Sequence, residues 1–212
     1  MKSKLKRNLS FLIIAAIPLV FYSCYPGGIE YYSDTDIIMT NYHDEFDFNA
    51  NKNYFMPDTV HYAAGDEDEI DRKFEDEIIS EISKNMSELG YIRVNDTIDA
   101  DVYLVATVTS STYSGVGYYP GGGWWWGGYP GWGGWYPYYP WYGWGYAYSY
   151  TTGSLFIEMA HPDGIDQNKD EIPIVWMAAI NGLLSDSGSN TLTRIISGID
   201  QVFKQPPFGP KK

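Results

Sequence analysis

The order of extended and helical segments predicts an α+β fold. We expect a two-layer sandwich, with an antiparallel or mixed sheet of about five to six strands and two helices on one face. Apolar residues recur every three or four positions over 66–89 and again over 191–203, which indicates two amphipathic helices. Extended apolar runs precede the first helix and fill the chain between the two helices, which indicates strands.

The predicted strands are short, and turn residues separate them. The strongest is 102–109, because it is rich in β-branched residues. The full set, in chain order, is 36–42, an extended piece over 46–55, 102–109, 155–159 and 174–184. We expect Trp176, in the last strand, to be a core anchor, because apolar residues surround it in the sequence.

The first predicted helix carries signals at both ends. Asp66 is the expected N-cap, and the acids that follow it suit the positive end of the helix dipole. Gly90 is expected to end the helix, with Tyr91 behind it making the closing apolar contact. The second helix is expected to stop before Pro206, because proline cannot continue a helix.

The N-terminus has the layout of a bacterial lipoprotein signal. A basic start precedes the apolar run 9–22, and Ser23 is the small residue before Cys24, the only cysteine. The run is shorter than the roughly 20 residues that cross a bilayer as a helix, and Pro18 interrupts it. We expect cleavage after Ser23 and acylation of Cys24. An uncleaved short anchor and an incidental cysteine stay open, because the residues just before Ser23 are bulky.

These signals divide the chain into segments. We expect a signal peptide over 1–23, a tether over 24–33, and a single α+β domain over 34–208 that contains the insert 115–148. Several acyl chains on Cys24 would anchor the protein durably, because each buried methylene contributes ~0.8 kcal/mol. The expected partner is therefore the membrane, and the expected location is the outer membrane, facing the periplasm.

The charge of the chain limits its other partners. The formal net charge is −13, from 14 Lys and Arg against 27 Asp and Glu, and removal of the basic signal would make it more negative. Binding to nucleic acid depends on a basic footprint, so we expect no nucleic-acid partner. A single cysteine allows no internal disulfide.

An uncharged aromatic insert separates two predicted strands. No charged residue occurs between Asp101 and Glu158, and 115–148 is built almost wholly from Gly, Tyr, Trp and Pro. Seven of the eight tryptophans lie there: Trp124, Trp125, Trp126, Trp132, Trp135, Trp141 and Trp144. We expect this insert to form the long tip of a β-hairpin without extending the strands as a regular ladder, because Pro blocks pairing.

Three interpretations of the insert stay open. The first is a low-complexity loop whose aromatic rings cluster loosely. The second is a contact with the membrane, since Trp and Tyr favour the bilayer interface. The third is a stacking platform for the sugars of peptidoglycan or polysaccharide. The seven tryptophans are therefore candidate membrane-contact or glycan-contact residues.

The sequence has no motif that indicates catalysis. His43, His61 and His161 lack the spacing of metal ligands, and no nucleophile motif or phosphate-binding loop occurs. The oxygen-rich segment 163–170 resembles a calcium loop but lacks the closing Glu, so it predicts a solvated hairpin turn. We expect no enzyme activity, no cofactor and no metal.

Several blocks of the sequence, taken in order, resemble a known family. They are 36–54, 89–91, 100–105, 153–158, 174–176 and 203–207. Their order is similar to that in the domain-of-unknown-function 4136 family of Gram-negative lipoproteins, over nearly all of the mature chain. One departure is Met177-Ala178, where a basic residue and a glycine are more usual.

The resemblance implies an envelope lipoprotein and assigns no catalytic residue. With the anchor signal, it favours a non-enzymatic interaction or structural module of the cell envelope, with an envelope protein as a partner. The alternative is a glycan-binding lipoprotein that uses the aromatic insert.

Overall fold

Among the residues that the structure describes, the fold is built around a mixed β-sheet of eight strands, and two further strands pair with each other. The computed structural model describes residues 38–62, 72–109, 113–116, 135–138, 147–150, 154–181 and 190–208. The strands are β1 Ile38–Tyr42, β2 Asn53–Phe55, β3 His61–Tyr62, β4 Ile92–Arg93, β5 Val102–Thr109, β6 Tyr113–Val116, β7 Tyr136–Tyr138, β8 Ala147–Tyr150, β9 Ser154–Ala160 and β10 Glu171–Ile180. The helices are α1 Glu75–Glu88 and α2 Thr191–Phe203, with short 3-10 turns at Arg72–Phe74, Thr97–Asp99 and Pro162–Gly164.

The strand order along the sheet is β1-β10-β9-β5-β2-β4. Strands β1, β10, β9 and β5 pair antiparallel, whereas β2 pairs parallel with both β5 and β4. The predicted α+β architecture with two helices is confirmed. The sheet has eight strands, more than expected, because the short strands β3 and β7 add parallel pairings to β5 and β10. Strands of two or three residues are too short to give a periodic signal.

Both helices cover the same face of the sheet. Ile82 and Met86 of α1 lie in one core with Ile199 of α2 and the inward residues of β5, β9 and β10. The two helices also touch each other, where Asn85 Nδ2 donates a 2.9 Å hydrogen bond to Asp200 Oδ1. The predicted apolar stripe therefore does face the core.

The first helix ends as its sequence predicts, but its start differs. It is described from Glu75, after a 3-10 turn, and the proposed cap Asp66 lies outside the described residues. At the other end Gly90 has φ 79°. The Gly90 N–H donates to Ser87 O at 2.9 Å, and the Tyr91 N–H donates to Met86 O at 2.9 Å. This pair of bonds is a Schellman motif, and Tyr91 is buried behind it.

A close approach of α2 to the sheet depends on Gly198. A Cβ at this position would come within 2.7 Å of Ile180 Cγ2. The helix therefore lies on β10 at a distance that only glycine permits. This close packing explains why α2 contains a glycine despite its low helix propensity.

Strand β10 carries a β-bulge that sets the direction of Trp176. Ile174 pairs with Ala160, but Trp176 pairs with Met159, so β10 has one extra residue at Val175. As a result, Val175 and Trp176 both contribute to the core under the helices. Trp176 is fully buried, as expected of a core anchor.

The segment after β1 is a turn, so the expected extended piece around Phe46 and Phe48 is wrong. The Asp47 carboxylate accepts hydrogen bonds from the backbone N–H groups of Asn49 and Ala50, at 2.9 and 3.1 Å. This Asx-type bonding favours a turn over a strand. Only Asn53–Phe55, at the end of the expected piece, is a strand.

Aromatic rings of the turn after β1 and of the C-terminal tail pack against the sheet. The ring of Phe48 lies 5.5 Å from that of Phe208, and Phe208 lies 5.2 Å from Trp176. Thr40 Oγ1 adds a 2.8 Å hydrogen bond to Gln205 Oε1. The tail beyond α2 is therefore part of the domain core.

The Schellman motif gives a first testable prediction. Gly90→Ala should lower the free energy of unfolding by about 1–2 kcal/mol, because an L residue with a Cβ is strained in the left-handed region. Gly90→Asn should lower it less, since Asn visits that region more readily. Urea unfolding followed by circular dichroism measures both. Equal losses in the two variants would contradict this account, because nothing lies within 4 Å of the added Cβ.

Candidate functional site

The sheet has a second buried face, on the side opposite the two helices. We call this surface the second face. Its central side chains come from β5, β9 and β10, and each is at most 2% exposed: Val105, Thr107, Phe156, Glu158, Met177 and Ala179. The register places them in two rows, Val105–Glu158–Met177 and Thr107–Phe156–Ala179. Alternate residues of the same strands point into the helix-side core.

Two polar side chains lie in the middle of this apolar surface. Glu158 is 1% exposed, and its cross-strand neighbours are Val105 and Met177. Thr107 is also 1% exposed, and its Oγ1 makes no hydrogen bond within the part of the chain that the structure describes. A buried hydroxyl without a partner costs about 1–3 kcal/mol. The Thr107 hydroxyl therefore lowers the stability of the second face.

Other polar groups border the same face. Ser154 Oγ donates a 2.9 Å hydrogen bond to Asn181 Oδ1 at one end of β9. His61 pairs with Thr107 in the register of β3 and β5, which places it on the same side of the sheet. These groups give β9 and its neighbours a polar stripe inside an apolar layer.

One of the seven candidate tryptophans packs on the second face. Trp135 is half-buried and contacts a cluster with Val105, Ile174 and Met177. Its ring is therefore engaged with the sheet of its own chain. The remaining candidates lie outside the described residues: Trp124, Trp125, Trp126, Trp132, Trp141 and Trp144, together with Cys24.

The base of the insert forms a two-stranded ladder of its own, contrary to the expectation that its Gly and Pro content excludes a ladder. Thr109 pairs with Ser154, and four residues further on both strands, Tyr113 pairs with Tyr150. The pairs of β6 and β8 thus keep the register of β5 and β9. Because the residues that pair here are Tyr, Ser, Ala, Val and one Gly, this part of the insert is compatible with strands. The tip segments 117–134 and 139–146 lie outside the described residues, so the aromatic hairpin stays a prediction.

The insert also returns to the sheet through β7. This strand pairs parallel with the first three residues of β10, from Glu171 to Pro173. Pro137 lies within β7, at a position that proline tolerates because β10 is the one described strand that pairs with β7. The backbone that follows Trp135 is thereby fixed to the sheet.

The three histidines occupy different places. His61 lies on the second face, and His43 follows β1, where its N–H donates to Val175 O at 2.8 Å. His161 lies after β9, with its ring 5.0 Å from Phe46. Within the described ranges, no group of three or more His, Cys, Asp or Glu is placed to hold a metal ion. No helix in those ranges is long and apolar enough to cross a membrane.

The oxygen-rich segment between β9 and β10 forms a turn. Asp166 Oδ1 accepts a 3.0 Å hydrogen bond from the Asn168 N–H, and Lys169 Nζ lies 3.4 Å from Asp166 Oδ2. The Asn168 hydrogen bond is the main cause that lowers the pKa of Asp166. Asp170 has φ 56°, a left-handed conformation that Asp adopts in turns. The Asp166 carboxylate thus shapes the turn through local bonds.

A comparison with known families identifies the family of this chain. Residues 38–208 match the family described as domain of unknown function (DUF4136). The chain belongs to this family. The match begins at the first residue of β1 and ends with Phe208, which packs on Trp176.

One solved structure agrees with the DUF4136 assignment. A DUF4136 family protein from Bacteroides thetaiotaomicron has 28% sequence identity and a TM-score of 0.62, over 82% of this chain and 96% of that one. A PDZ domain protein from Parabacteroides distasonis has 12% identity and a TM-score of 0.42, over 83% of this chain and 37% of that one. The PelC dodecamer from Paraburkholderia phytofirmans has 12% identity and a TM-score of 0.40, over 84% and 99%. No curated protein matches the chain.

Sequence reasoning missed Glu158 as a site residue. The signal was present, because Glu158 is the first charged residue after a long uncharged stretch and stands within a predicted apolar strand. An acid is common on a strand that is exposed on one side. The sequence alone does not show that both faces of the sheet are buried at Glu158, so it does not mark Glu158 as unusual.

The position of Glu158 gives a second prediction. Glu158→Ala should destabilise the chain by about 1–3 kcal/mol, because it leaves the groups around the carboxylate without their acceptor. Glu88→Ala, at an exposed position on α1, is the matched control and should change stability by at most about 0.5 kcal/mol. Urea unfolding measures both variants. Equal and small effects would show that the buried carboxylate contributes nothing to the second face.

His161 gives a prediction about pH. Burial is the main cause that lowers the pKa of His161 below 6.5, and Asp163 and Asp101 oppose it more weakly. Below pH 6.5 the unfolded chain therefore binds a proton at this site that the folded chain binds less readily, so folding stability falls as the pH decreases. His161→Gln should lose less stability than the wild type between pH 6.5 and 5. Urea midpoints measured across this range should diverge, and parallel curves would contradict the prediction.

Proposed function

We propose that this chain is a lipid-anchored lipoprotein of the cell envelope that serves as a non-enzymatic interaction or structural module. The observation that carries the proposal is the position of Cys24. It follows a signal-like basic and apolar start, and it precedes Ile38, where the DUF4136 domain begins. An acylated cysteine at this point would leave the whole domain outside the bilayer.

The sequence after the cysteine supports a location at the outer membrane, facing the periplasm. The residues that follow directly, Tyr25 to Gly28, contain no acid that would signal surface display. The acidic domain is also unsuited to electrostatic binding on anionic lipid, so the acyl chains would provide the attachment.

The burial of the polar groups supports a role without catalysis. Glu158 and Thr107 are each 1% exposed, so water and a substrate in solution do not reach them. Asn85 and Asp200, another polar pair, bond to each other between the helices. Groups in these positions contribute to the packing of the domain, and a stable surface on a tether is what an interaction module requires.

The anchor gives a direct prediction. Cells fed a fatty-acid analogue should label the wild-type chain, and Cys24→Ala should abolish the label and release the chain from the membrane fraction. Ser33→Ala, in the tether, is the matched control and should keep both properties, because it leaves the cysteine in place. Equal labelling of the wild type and Cys24→Ala would exclude the anchor at this residue.

A further inference from the structure

We propose that Asn95 is an acceptor for an N-linked glycan, and that this glycan shields the exposed apolar surface beside β4. Asn95-Asp96-Thr97 is an Asn-x-Thr triplet without proline, the pattern of an N-glycosylation acceptor in exported proteins. The inference rests on the proposed function only for the export of the chain. Three observations support it: the exposure of the triplet, the contrast with a second triplet, and the surface around it.

The first observation is that the triplet lies in an exposed turn. Asn95 and Asp96 are exposed, between the end of β4 and the 3-10 turn Thr97–Asp99. The backbone of Asp96 is extended, with φ −123° and ψ 139°, and its carboxylate accepts a 3.0 Å hydrogen bond from the Ile98 N–H. A transferase can therefore reach the Asn95 carboxamide without opening a helix or a strand.

The second observation is the contrast with Asn85-Met86-Ser87, which has the same pattern. Asn85 is 7% exposed and lies within α1. Its Nδ2 donates hydrogen bonds to Glu81 O at 3.0 Å and to Asp200 Oδ1 at 2.9 Å. A third triplet starts at Asn8, within the expected signal peptide. Of the two triplets that the structure describes, the one at Asn95 is accessible in the folded domain.

The third observation is an exposed apolar surface beside the triplet. Ile92 is 61% exposed and Ile98 is 86% exposed. Both lie close to Asn53, because Ile92 is its register partner and the Asp101 N–H, three residues after Ile98, donates to Asn53 O at 2.9 Å. A hydrophilic glycan on Asn95, which lies between the two isoleucines in the sequence, would shield both of them.

The same glycan would protect an edge of the sheet. Strand β4 ends the described strand order, and the N–H groups of Ile92 and Val94 donate to Lys52 O and Tyr54 O on the β2 side. Because successive backbone groups of a strand point to opposite sides, the N–H and C=O of Arg93 point away from β2. Such an edge can pair with a strand of another molecule, and proteins generally cover it or place charges on it.

The reaction is the transfer of a glycosyl group to an amide nitrogen. Its co-reactant is an oligosaccharide linked to a polyprenyl diphosphate, which an oligosaccharyltransferase presents. A bond forms between Asn95 Nδ2 and the anomeric carbon of the sugar, and the bond between that carbon and the diphosphate oxygen breaks. The polyprenyl diphosphate leaves, and the amide nitrogen gives one proton to a base of the transferase, so nothing is oxidised or reduced.

Mass spectrometry of the chain from its own cells tests the acceptor directly. We expect a sugar mass on the proteolytic fragment with Asn95, which an amidase removes while converting Asn95 to aspartate, and an unmodified fragment with Asn85. A membrane-bound chain without sugar at Asn95 would overturn the proposal and leave the anchor intact, and sugar on the Thr97 hydroxyl alone would also overturn it. An unanchored chain that carries the sugar at Asn95 would contradict the anchor alone.

Transfer to the purified chain measures the contrast between the two triplets. The folded full-length chain is incubated with a single-subunit oligosaccharyltransferase that requires only the triplet, together with its polyprenyl-linked donor. Asn95 should be modified at least about tenfold faster than Asn85, because Asn85 needs local unfolding of α1. Short peptides that contain either triplet are the control, and both should be modified. Equal rates at the two asparagines of the folded chain would overturn the proposal.

Two substitutions of Thr97 separate its hydroxyl from the turn. Thr97→Ser keeps the hydroxyl and should keep the sugar, whereas Thr97→Val keeps the shape of the side chain and should lose the sugar. Both variants should keep the turn, because Tyr103 Oη and the Ala100 N–H donate to the backbone carbonyl of Thr97. Equal occupancy of Asn95 in the two variants would overturn the proposal.

The shielding has its own measurement. Removal of the sugar from the folded chain should raise its rate of aggregation, followed by light scattering, by about threefold or more, because the isoleucines become accessible. Ile98→Ser should abolish this increase, since it removes the most exposed apolar side chain beside the triplet. An unchanged rate after removal of the sugar would contradict the shielding.

Discussion

The burial of both faces of the central strands is the constraint on which the rest of the structure depends. Every residue of β9, Ser154–Ala160, is buried, and β10 is buried over most of its length. A strand in this position has no side that water can reach, so each of its polar groups must be bonded within the protein. Two helices with aliphatic stripes satisfy one side. The other side carries Glu158 and Thr107, which are buried among apolar side chains.

The β-bulge at Val175 connects this central layer to the edges of the domain. The extra residue directs Trp176 under the helices, where its ring lies 5.3 Å from Phe203 and 5.2 Å from Phe208. The tail after α2 is held there, and through it Gln205 reaches Thr40 on β1. One irregularity in β10 thereby fixes the tail after α2 against the first strand, and the family match includes both of these elements.

The sequence predicted the long elements of the fold because periodicity and helix-end signals are local. The stripe through Ile82 and Met86 is buried as predicted, and Gly90 ends α1 in the left-handed conformation. The turn after β1 could not be predicted from alternation, because the alternating Phe46 and Phe48 are held by Asp47 bonds and ring contacts that are not periodic. The bulge and the strands β3 and β7 could not be predicted from the sequence either, since their pairing depends on partners distant in the chain.

The candidate site was harder to predict than the fold. The sequence of a strand does not show whether one face of the sheet or both faces are buried. An acid in a strand normally marks the solvent side of a sheet, and this pattern hid the importance of Glu158. Glu158 is instead 1% exposed, so its carboxylate belongs to the buried part of the domain. Of the candidate tryptophans, Trp135 is the one that the structure describes, and it contacts the sheet. A tryptophan that suggests a ligand platform in the sequence can therefore pack on its own domain, and a contact with lipid or glycan then has to be demonstrated for each ring separately.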